Sequence, residues 1–178
     1  MHSARSDRAF HAGDYSLAGD EAMLAAQDES LAAYFLVDAM RAALWGRDLA
    51  RAREVARRLE ADPRAGSGIA ADRIAARAGV AALEGRLDAA IAGYREALSR
   101  HRSIGADFNV AQLALDFVML VGGDHPATRD VAAEARAIFE RVKARPYLER
   151  LEAAMARHAP DAPVTLARDS TAVSGTPG

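Results

Sequence analysis

The chain of 178 residues contains no cysteine, which excludes disulfide bonds, thiolate metal sites and cysteine-based catalysis. Aromatic residues make up only 6% of the sequence, and Val, Ile, Thr and Tyr never cluster in the alternating runs that predict strands. Alanine supplies much of the 51% hydrophobic content, which favours helices that approach one another closely. We therefore expect an all-α fold.

Strong net charge and long apolar runs are also lacking. A net charge of −2 provides no general attraction for nucleic acid or anionic membrane, and acidic residues are interleaved with the arginines of the most basic segment, 47–64. No apolar run reaches the ~20 residues that cross a membrane, and residues 1–10 lack the apolar core of a secretory signal. The sequence predicts a cytoplasmic protein without direct nucleic-acid or membrane contacts.

A turn that contains glycine recurs at a fixed interval along the chain. Residues 45–49 (Trp-Gly-Arg-Asp-Leu) are followed by residues 84–88 (Glu-Gly-Arg-Leu-Asp), and Gly123-Asp124 forms a weaker third copy at the same interval. An Ala-rich helical pattern lies on each side of every copy. Two helices per unit at a fixed interval indicate a helical solenoid. We expect a right-handed α-solenoid of about three and a half helix-turn-helix repeats with a C-terminal capping helix.

The helical patterns and turn residues also predict where the helices begin and end. The predicted helices are 3–12, 15–26, 30–45, 49–61, 69–84, 87–102, 107–121, 127–143 and 146–158. Pro126 is expected in the first turn of the eighth helix with Asp124 as its cap. Residues 1–158 would form one repeat domain and residues 159–178 a disordered tail. The first helix is short, so the N-terminal edge is expected to expose apolar surface and either to self-associate or to bind an upstream partner.

The third predicted unit carries a family resemblance. Residues 78–98 (AGVAALEGRLDAAIAGYREAL) resemble a tetratricopeptide repeat through Gly85, Ala90, Tyr94 and Ala97. The resemblance implies that Gly85 reverses the chain, that the paired helices approach at Ala90 and Ala97, and that Tyr94 fills the gap between them. It also implies that a protein or peptide partner binds the concave face formed by the first helix of each unit.

A second resemblance concerns residues 93–98, 114–116, 134–141 and 144–152. They are similar to the C-terminal helical-repeat region of bacterial signalling proteins in which an AAA-type ATPase accompanies a class III adenylate/guanylate cyclase or a LuxR-type DNA-binding domain. This implies a regulatory module, or a C-terminal fragment whose catalytic domains are absent. The sequence contains neither the cyclase carboxylate pattern nor a G-x-x-x-x-G-K-[ST] phosphate loop.

No catalytic, cofactor or metal site is expected, because the five histidines are far apart in the sequence and no nucleophile motif is present. We expect a non-catalytic protein-interaction or sensor module. The fixed repeat interval aligns polar residues into a stripe on the first helix of each unit, and we expect this stripe to be the partner-binding surface of the module. The candidate residues are Tyr34, Asp38, Arg41, Trp45, Arg73, Arg77, Glu84, Asn109, Gln112 and Asp116. Alternatively, Trp45 packs inside its own helix pair and the polar residues face each other.

Three of these candidates align across neighbouring units in the order acid, base, acid. Asp38, Arg77 and Asp116 are separated by the same interval as Gly46 and Gly85, and we expect them to form an ionic ladder that fixes the register of the repeats. The alternative is that the same three residues close the pocket of a helical bundle that binds a small molecule.

Overall fold

The computed structural model describes residues 2–27 and 32–157, which form nine α helices and no strand. The all-α prediction is confirmed for this part of the chain. The helices are α1 (His2–Ala12), α2 (Tyr15–Ala25), α3 (Ala32–Trp45), α4 (Leu49–Ala61), α5 (Ser67–Leu83), α6 (Leu87–Ser103), α7 (Asp107–Val121), α8 (Arg129–Arg141) and α9 (Arg145–Ala156). None of these helices is long and apolar enough to cross a membrane. The predicted tail, 159–178, lies outside the described residues.

Five of the turns between consecutive helices share one backbone form. A residue with positive φ follows the helix end, and these residues are Gly13, Arg47, Gly85, Gly105 and Lys143. The backbone N–H of the residue that follows the positive-φ residue donates to the carbonyl five residues before it. Examples are Asp48 to Ala43 and Arg86 to Ala81, each at 2.9 Å. This hydrogen bond satisfies one of the carbonyl groups left free at a helix end. The same local chemistry therefore ends helices α1, α3, α5, α6 and α8.

These turns correct the fixed repeat interval that the sequence predicts. The left-handed residues that join the first three helix pairs are Gly13, Arg47 and Gly85, and the interval from the first to the second is shorter than that from the second to the third. Gly46, which the sequence aligns with Gly85, is not the left-handed residue of its turn. A Cβ at Gly46 would lie 3.2 Å from the Cβ of Tyr15. Close packing therefore explains this glycine, and the alignment by glycine is wrong by one residue.

The packing expected for the third helix pair is confirmed. Ala90, Tyr94 and Ala97 are fully buried, and the Tyr94 ring stacks on Phe117 with centroids 5.0 Å apart. Gly93 lies so close to α5 that an added Cβ would be 2.8 Å from the Cβ of Ala78. Small residues thus let the two helices approach. Tyr94 of α6 fills the space beside them against Phe117 of α7.

The start of α8 differs from the prediction. The helix begins at Arg129 rather than residue 127, because residues 125–128 form a turn of their own. The buried Thr128 hydroxyl lies 2.7 Å from the Gly122 carbonyl oxygen and 2.8 Å from that of His125. Pro126 therefore precedes the helix, and Asp124 is not its cap.

The first and last described helices meet. The Arg150 guanidinium of α9 donates to the backbone carbonyls of Phe10 at 2.8 Å and His11 at 3.0 Å at the end of α1. Phe10 also packs against Trp45 of α3, with ring centroids 4.6 Å apart. Helix α9 thus covers the N-terminal edge around Phe10, while Leu17 and Leu24 on α2 stay exposed. The expected self-association through this edge stays a prediction.

Candidate binding pit on the inner helices

The five odd-numbered helices, which we call the inner helices, line a concave depression of about 330 Å³. We call this depression the pit. Each of the five helices α1, α3, α5, α7 and α9 contributes at least one side chain to it. The lining residues are Asp7, Tyr34, Val37, Asp38, Arg41, Ile69, Asp72, Phe108, Asn109, Gln112 and Tyr147. Because α1 and α9 are joined through Arg150, the concave surface is bounded where these two helices meet.

A buried ion pair lies at the floor of the pit. The Arg41 Nε donates to both carboxylate oxygens of Asp116, at 3.1 and 3.2 Å, and their side chains are only 8% and 7% exposed. The Trp45 indole N–H donates to the same carboxylate at 2.8 Å. Burial raises the pKa of Asp116, while Arg41 and the hydrogen bonds from Arg41 and Trp45 act in the opposite direction. With only N–H donors around it, the carboxylate form of Asp116 is the one that the site accommodates.

Asp38 is a carboxyl group that lines the pit and has a raised pKa. Burial, against the lowering effect of Arg41 and together with the nearby carboxylates of Asp7 and Asp116, raises the pKa of Asp38 to about 6. The Arg41 Nη1 lies 3.8 Å from the Asp38 Oδ1. Arg41 therefore interacts with two carboxylates but makes its hydrogen bonds with Asp116.

A smaller cavity of about 30 Å³ adjoins the pit beneath Asp72 and Asn109. Val37, Arg41, Asp72 and Asn109 line both spaces. On the inner side the cavity is lined by Tyr94 and His101. The His101 Nε2 lies 3.0 Å from the Asp72 Oδ1, whereas the His101 Nδ1 and the Tyr94 hydroxyl have no hydrogen-bond partner within the described residues.

Three aromatic side chains, Tyr34, Phe108 and Tyr147, contribute to the walls of the pit. Tyr147 is fixed by stacking on Phe139, with centroids 5.4 Å apart, and by the Gln112 Nε2, which lies 3.1 Å from its hydroxyl. Phe108 meets Tyr147 edge to face at 5.7 Å. Tyr34 and Phe108 are 65% and 39% exposed, so they offer aromatic surface that a partner could cover.

Five of the ten predicted partner-binding residues line the pit: Tyr34, Asp38, Arg41, Asn109 and Gln112. Two others, Trp45 and Asp116, lie directly beneath it and bind each other through the indole N–H. This arrangement combines the two interpretations of the stripe. Part of it faces the concave surface, and Trp45 is buried among its neighbours.

The ladder of Asp38, Arg77 and Asp116 is wrong. Of the pocket expected from the same residues, Asp38 lines the pit and Asp116 the smaller cavity, but Arg77 lines neither, and small-molecule binding stays a prediction. Arg77 forms an exposed ion pair with Glu60 of α4, and Arg41 binds Asp116 instead. The residue of α5 that faces the pit is Asp72. The five positions from Asp72 to Arg77 rotate a side chain by about 140° around an α helix, which places Arg77 on another face.

The other two predicted residues also have structural partners elsewhere. Arg73 donates to the backbone carbonyls of Leu59, Asp62 and Arg64 at the end of α4. Glu84 accepts from Arg53 and Arg86 beside the α5–α6 turn. Both side chains therefore hold neighbouring segments together and do not line the pit.

The sequence prediction missed six residues that complete the pit: Asp7, Val37, Ile69, Asp72, Phe108 and Tyr147. Asp72 could have been found from the left-handed turn residues Arg47 and Gly85. Their alignment pairs Asp38 with Ala76, and Asp72 lies one helical turn before Ala76 on the same face. Phe108 is adjacent to the predicted Asn109. Asp7 and Tyr147 carry no local signal, since only the meeting of α1 and α9 brings them to the same surface.

No family model, curated protein or solved structure matches the chain. Within residues 2–27 and 32–157, no three His, Asp or Glu side chains are grouped so that they could hold a metal ion.

Proposed function

We propose that the chain is a non-catalytic interaction or sensor module, a tetratricopeptide-like helical superhelix whose pit binds a protein segment through one inserted side chain. The observation that carries this proposal is the pit itself, a concave site of about 330 Å³ to which all five inner helices contribute. The signalling parent that the sequence resemblance implies stays a prediction.

The shape of the pit favours one inserted side chain over an extended peptide that runs along the surface. Arg150 joins α1 to α9, so an extended chain would meet the junction of these two helices. The volume lies at the lower end of the roughly 300–1,000 Å³ typical of ligand sites. Tyr34 and Phe108 extend to the exposed surface, where the residues that flank the inserted side chain could pack. Aromatic residues of this kind often supply much of the binding energy at interfaces.

The chemistry of the lining residues supports binding without catalysis. Among the described residues that line the pit and the adjoining cavity, none is Ser, Thr, Cys or Lys. The pair formed by His101 and Asp72 therefore has no Ser, Thr or Cys beside it to activate as a nucleophile. Asp38, Asp72 and Asn109 are suited to hydrogen bonding a ligand, and the proposal assigns them that role.

The proposal can be tested with libraries of acetylated, amidated hexapeptides and with Trp45 as reporter. Trp45 is the single tryptophan of the chain and lies beneath the pit, so occupation should change its fluorescence. We expect saturable binding that is weakened at least about fivefold by Phe108→Ala, since aromatic contacts at interfaces contribute on the order of 1 kcal/mol or more. Ile104→Ala, an exposed apolar residue outside the pit, is the matched control. Absence of binding by every library, or equal loss in both variants, would overturn the proposal.

A further inference from the structure

The pit has an excess of negative charge. Asp7, Asp38 and Asp72 contribute three carboxyl groups, and Arg41 is the single cationic side chain among its described lining residues. Arg41 makes its hydrogen bonds with Asp116 beneath the pit, so its charge is largely compensated there. An anionic ligand would meet an excess of carboxylates over cationic groups, whereas a cation would be attracted to them.

The walls suit a cation that is carried on an aliphatic stem. Val37 and Ile69 provide apolar surface beside the carboxylates, and Tyr34, Phe108 and Tyr147 provide aromatic rings. Aromatic rings attract cations through their quadrupole, and long cationic side chains cover apolar surface with their methylene groups while the charged end reaches polar groups. The combination fits a lysine or arginine side chain better than an aliphatic or aromatic one.

The adjoining cavity gives independent evidence for a donor-rich group. Tyr94 is fully buried and His101 is 3% exposed, yet the Tyr94 hydroxyl and the His101 Nδ1 have no partner within the described residues. Because the His101 Nε2 faces the Asp72 carboxylate, the neutral ring carries its proton on Nε2 and leaves Nδ1 as an acceptor. Two polar atoms without a partner among the described residues are therefore buried in the wall of the cavity close to Asp72.

The size of this cavity distinguishes between the two cationic side chains. A space of about 30 Å³ corresponds to roughly two water-sized groups. A compact ammonium, with three N–H donors and no acceptor, matches such a space and its acceptors. A planar guanidinium is broader and needs a flat, two-pronged acceptor.

We propose that the side chain inserted into the pit is a lysine of a partner peptide, whose ammonium group binds between Asp38, Asp72 and the acceptors of the adjoining cavity. This inference rests on the proposed function. The exposed rings of Tyr34 and Phe108 favour a peptide over a free amine, since a small amine would leave them uncovered. The lysine stem would lie against Val37 and Ile69.

The experiment compares hexapeptide libraries in which one position is fixed as lysine, Nε-acetyl-lysine, arginine or norleucine. Binding is measured by Trp45 fluorescence, with n-butylammonium as a small-amine probe. We expect the lysine library to bind on the order of tenfold more tightly than the acetyl-lysine and norleucine libraries, because charge-assisted hydrogen bonds are lost without the ammonium. Arginine should bind more weakly than lysine.

Three variants locate the effect. Asp72→Asn should reduce lysine affinity about tenfold and leave acetyl-lysine affinity unchanged, since it removes the charge but keeps the size of the side chain. Tyr94→Phe should reduce lysine affinity several-fold without loss of folding, because the hydroxyl has no partner within the described residues. Asp88→Asn, on the exposed start of α6, should change neither affinity. Circular dichroism verifies that each variant is folded.

The possible failures can be distinguished. Tightest binding by a library fixed at another residue would overturn the lysine assignment but retain a peptide-binding pit. Binding of n-butylammonium without any peptide would overturn the peptide as the source of the amine, and with it the proposed function. Absence of all binding would overturn both proposals.

Discussion

The Arg41 guanidinium binds the Asp116 carboxylate from 75 residues away in the sequence, with the Arg41 Nε 3.1 Å from the Asp116 Oδ1. The pair joins α3 to α7 across the centre of the inner helices, and Trp45 adds a hydrogen bond from the same helix as Arg41. Because both side chains are almost fully buried, each is the charge partner that makes burial of the other tolerable. The floor of the pit therefore depends on this contact.

Replacement of Asp116 by alanine should destabilise the fold strongly. It leaves the Arg41 charge buried without its hydrogen-bonded partner, for which a loss of roughly 3–5 kcal/mol is typical. Urea unfolding followed by circular dichroism measures the change. The double variant Arg41→Met with Asp116→Leu should recover most of the loss, since it removes both charges. Alanine at Glu60, whose pair with Arg77 is exposed, should lose less than about 1 kcal/mol. Similar losses for Asp116 and Glu60 would contradict the structural role of the buried pair.

Asp38 should make stability depend on pH. Burial raises the pKa of its carboxyl from the ordinary 3.8 to about 6, so the folded state favours the neutral form. A protein with neutral Asp38 carries no such penalty. The wild type therefore keeps its full stability below about pH 4, and its free energy of unfolding falls as the pH rises from about 4 to about 6. Asp38→Asn should therefore be more stable than the wild type at pH 8, by roughly 1–3 kcal/mol.

The measurement for Asp38→Asn is the free energy of unfolding in urea between pH 4 and pH 8. The stabilisation should shrink towards zero at pH 4, where the wild-type carboxyl is largely protonated. Arg41, Asp7 and Asp116 also act on this group, so the comparison with wild type at each pH is essential. Asp88→Asn is the control for the substitution itself. A gain that is independent of pH would contradict the raised pKa.

The helices could be predicted from the sequence because their signals are local. The bounds of α4 and α7, Leu49–Ala61 and Asp107–Val121, agree with the prediction. Asp14 and Asp48 lie just after the positive-φ residues and accept from the backbone N–H groups of Leu17 and Arg51, each at 3.0 Å. Such caps and turns act within a few residues, so a single sequence is sufficient to locate them.

The site could be predicted only in part, because it depends on helix rotation and on distant contacts. Each residue of error rotates a helical side chain by about 100°, so the alignment of Gly46 with Gly85 led to Arg77 on the wrong face of α5. The corrected alignment gives Ala76, and the residue that faces the pit is Asp72, one helical turn earlier. The contact from Arg150 to Phe10 spans 140 residues. No local pattern indicates that contact, and it accompanies the placement of Asp7 of α1 and Tyr147 of α9 on the same concave surface.

Gly79→Ala should destabilise the fold despite the helix propensity of alanine. A Cβ at this position would lie 2.7 Å from both Cδ atoms of Leu44 and 3.2 Å from the Tyr94 hydroxyl, and overpacking of this kind typically costs about 1–3 kcal/mol. Gly68→Ala in the same helix is the matched control, since its nearest contact would be Ile104 at 3.7 Å. It should stabilise by about 0.5–1 kcal/mol. Thermal unfolding distinguishes the two, and a stabilised Gly79→Ala protein would contradict the close α3–α5 packing.

Arg150 should hold α1 against the rest of the domain. Its guanidinium donates to the Phe10 and His11 carbonyls and lies 5.3 Å from the Phe10 ring centroid and 5.5 Å from that of Trp45. Hydrogen bonds to charged groups contribute about 1.5–3 kcal/mol, so Arg150→Met should release α1 locally before the domain unfolds. Amide hydrogen exchange should accelerate in α1 and α2 at least about tenfold, with little change in α6. Arg145→Met removes an exposed arginine of the same helix that pairs with Glu149, and it should leave α1 protected. Equal protection of α1 in both variants would show that the N-terminal helix is held without Arg150.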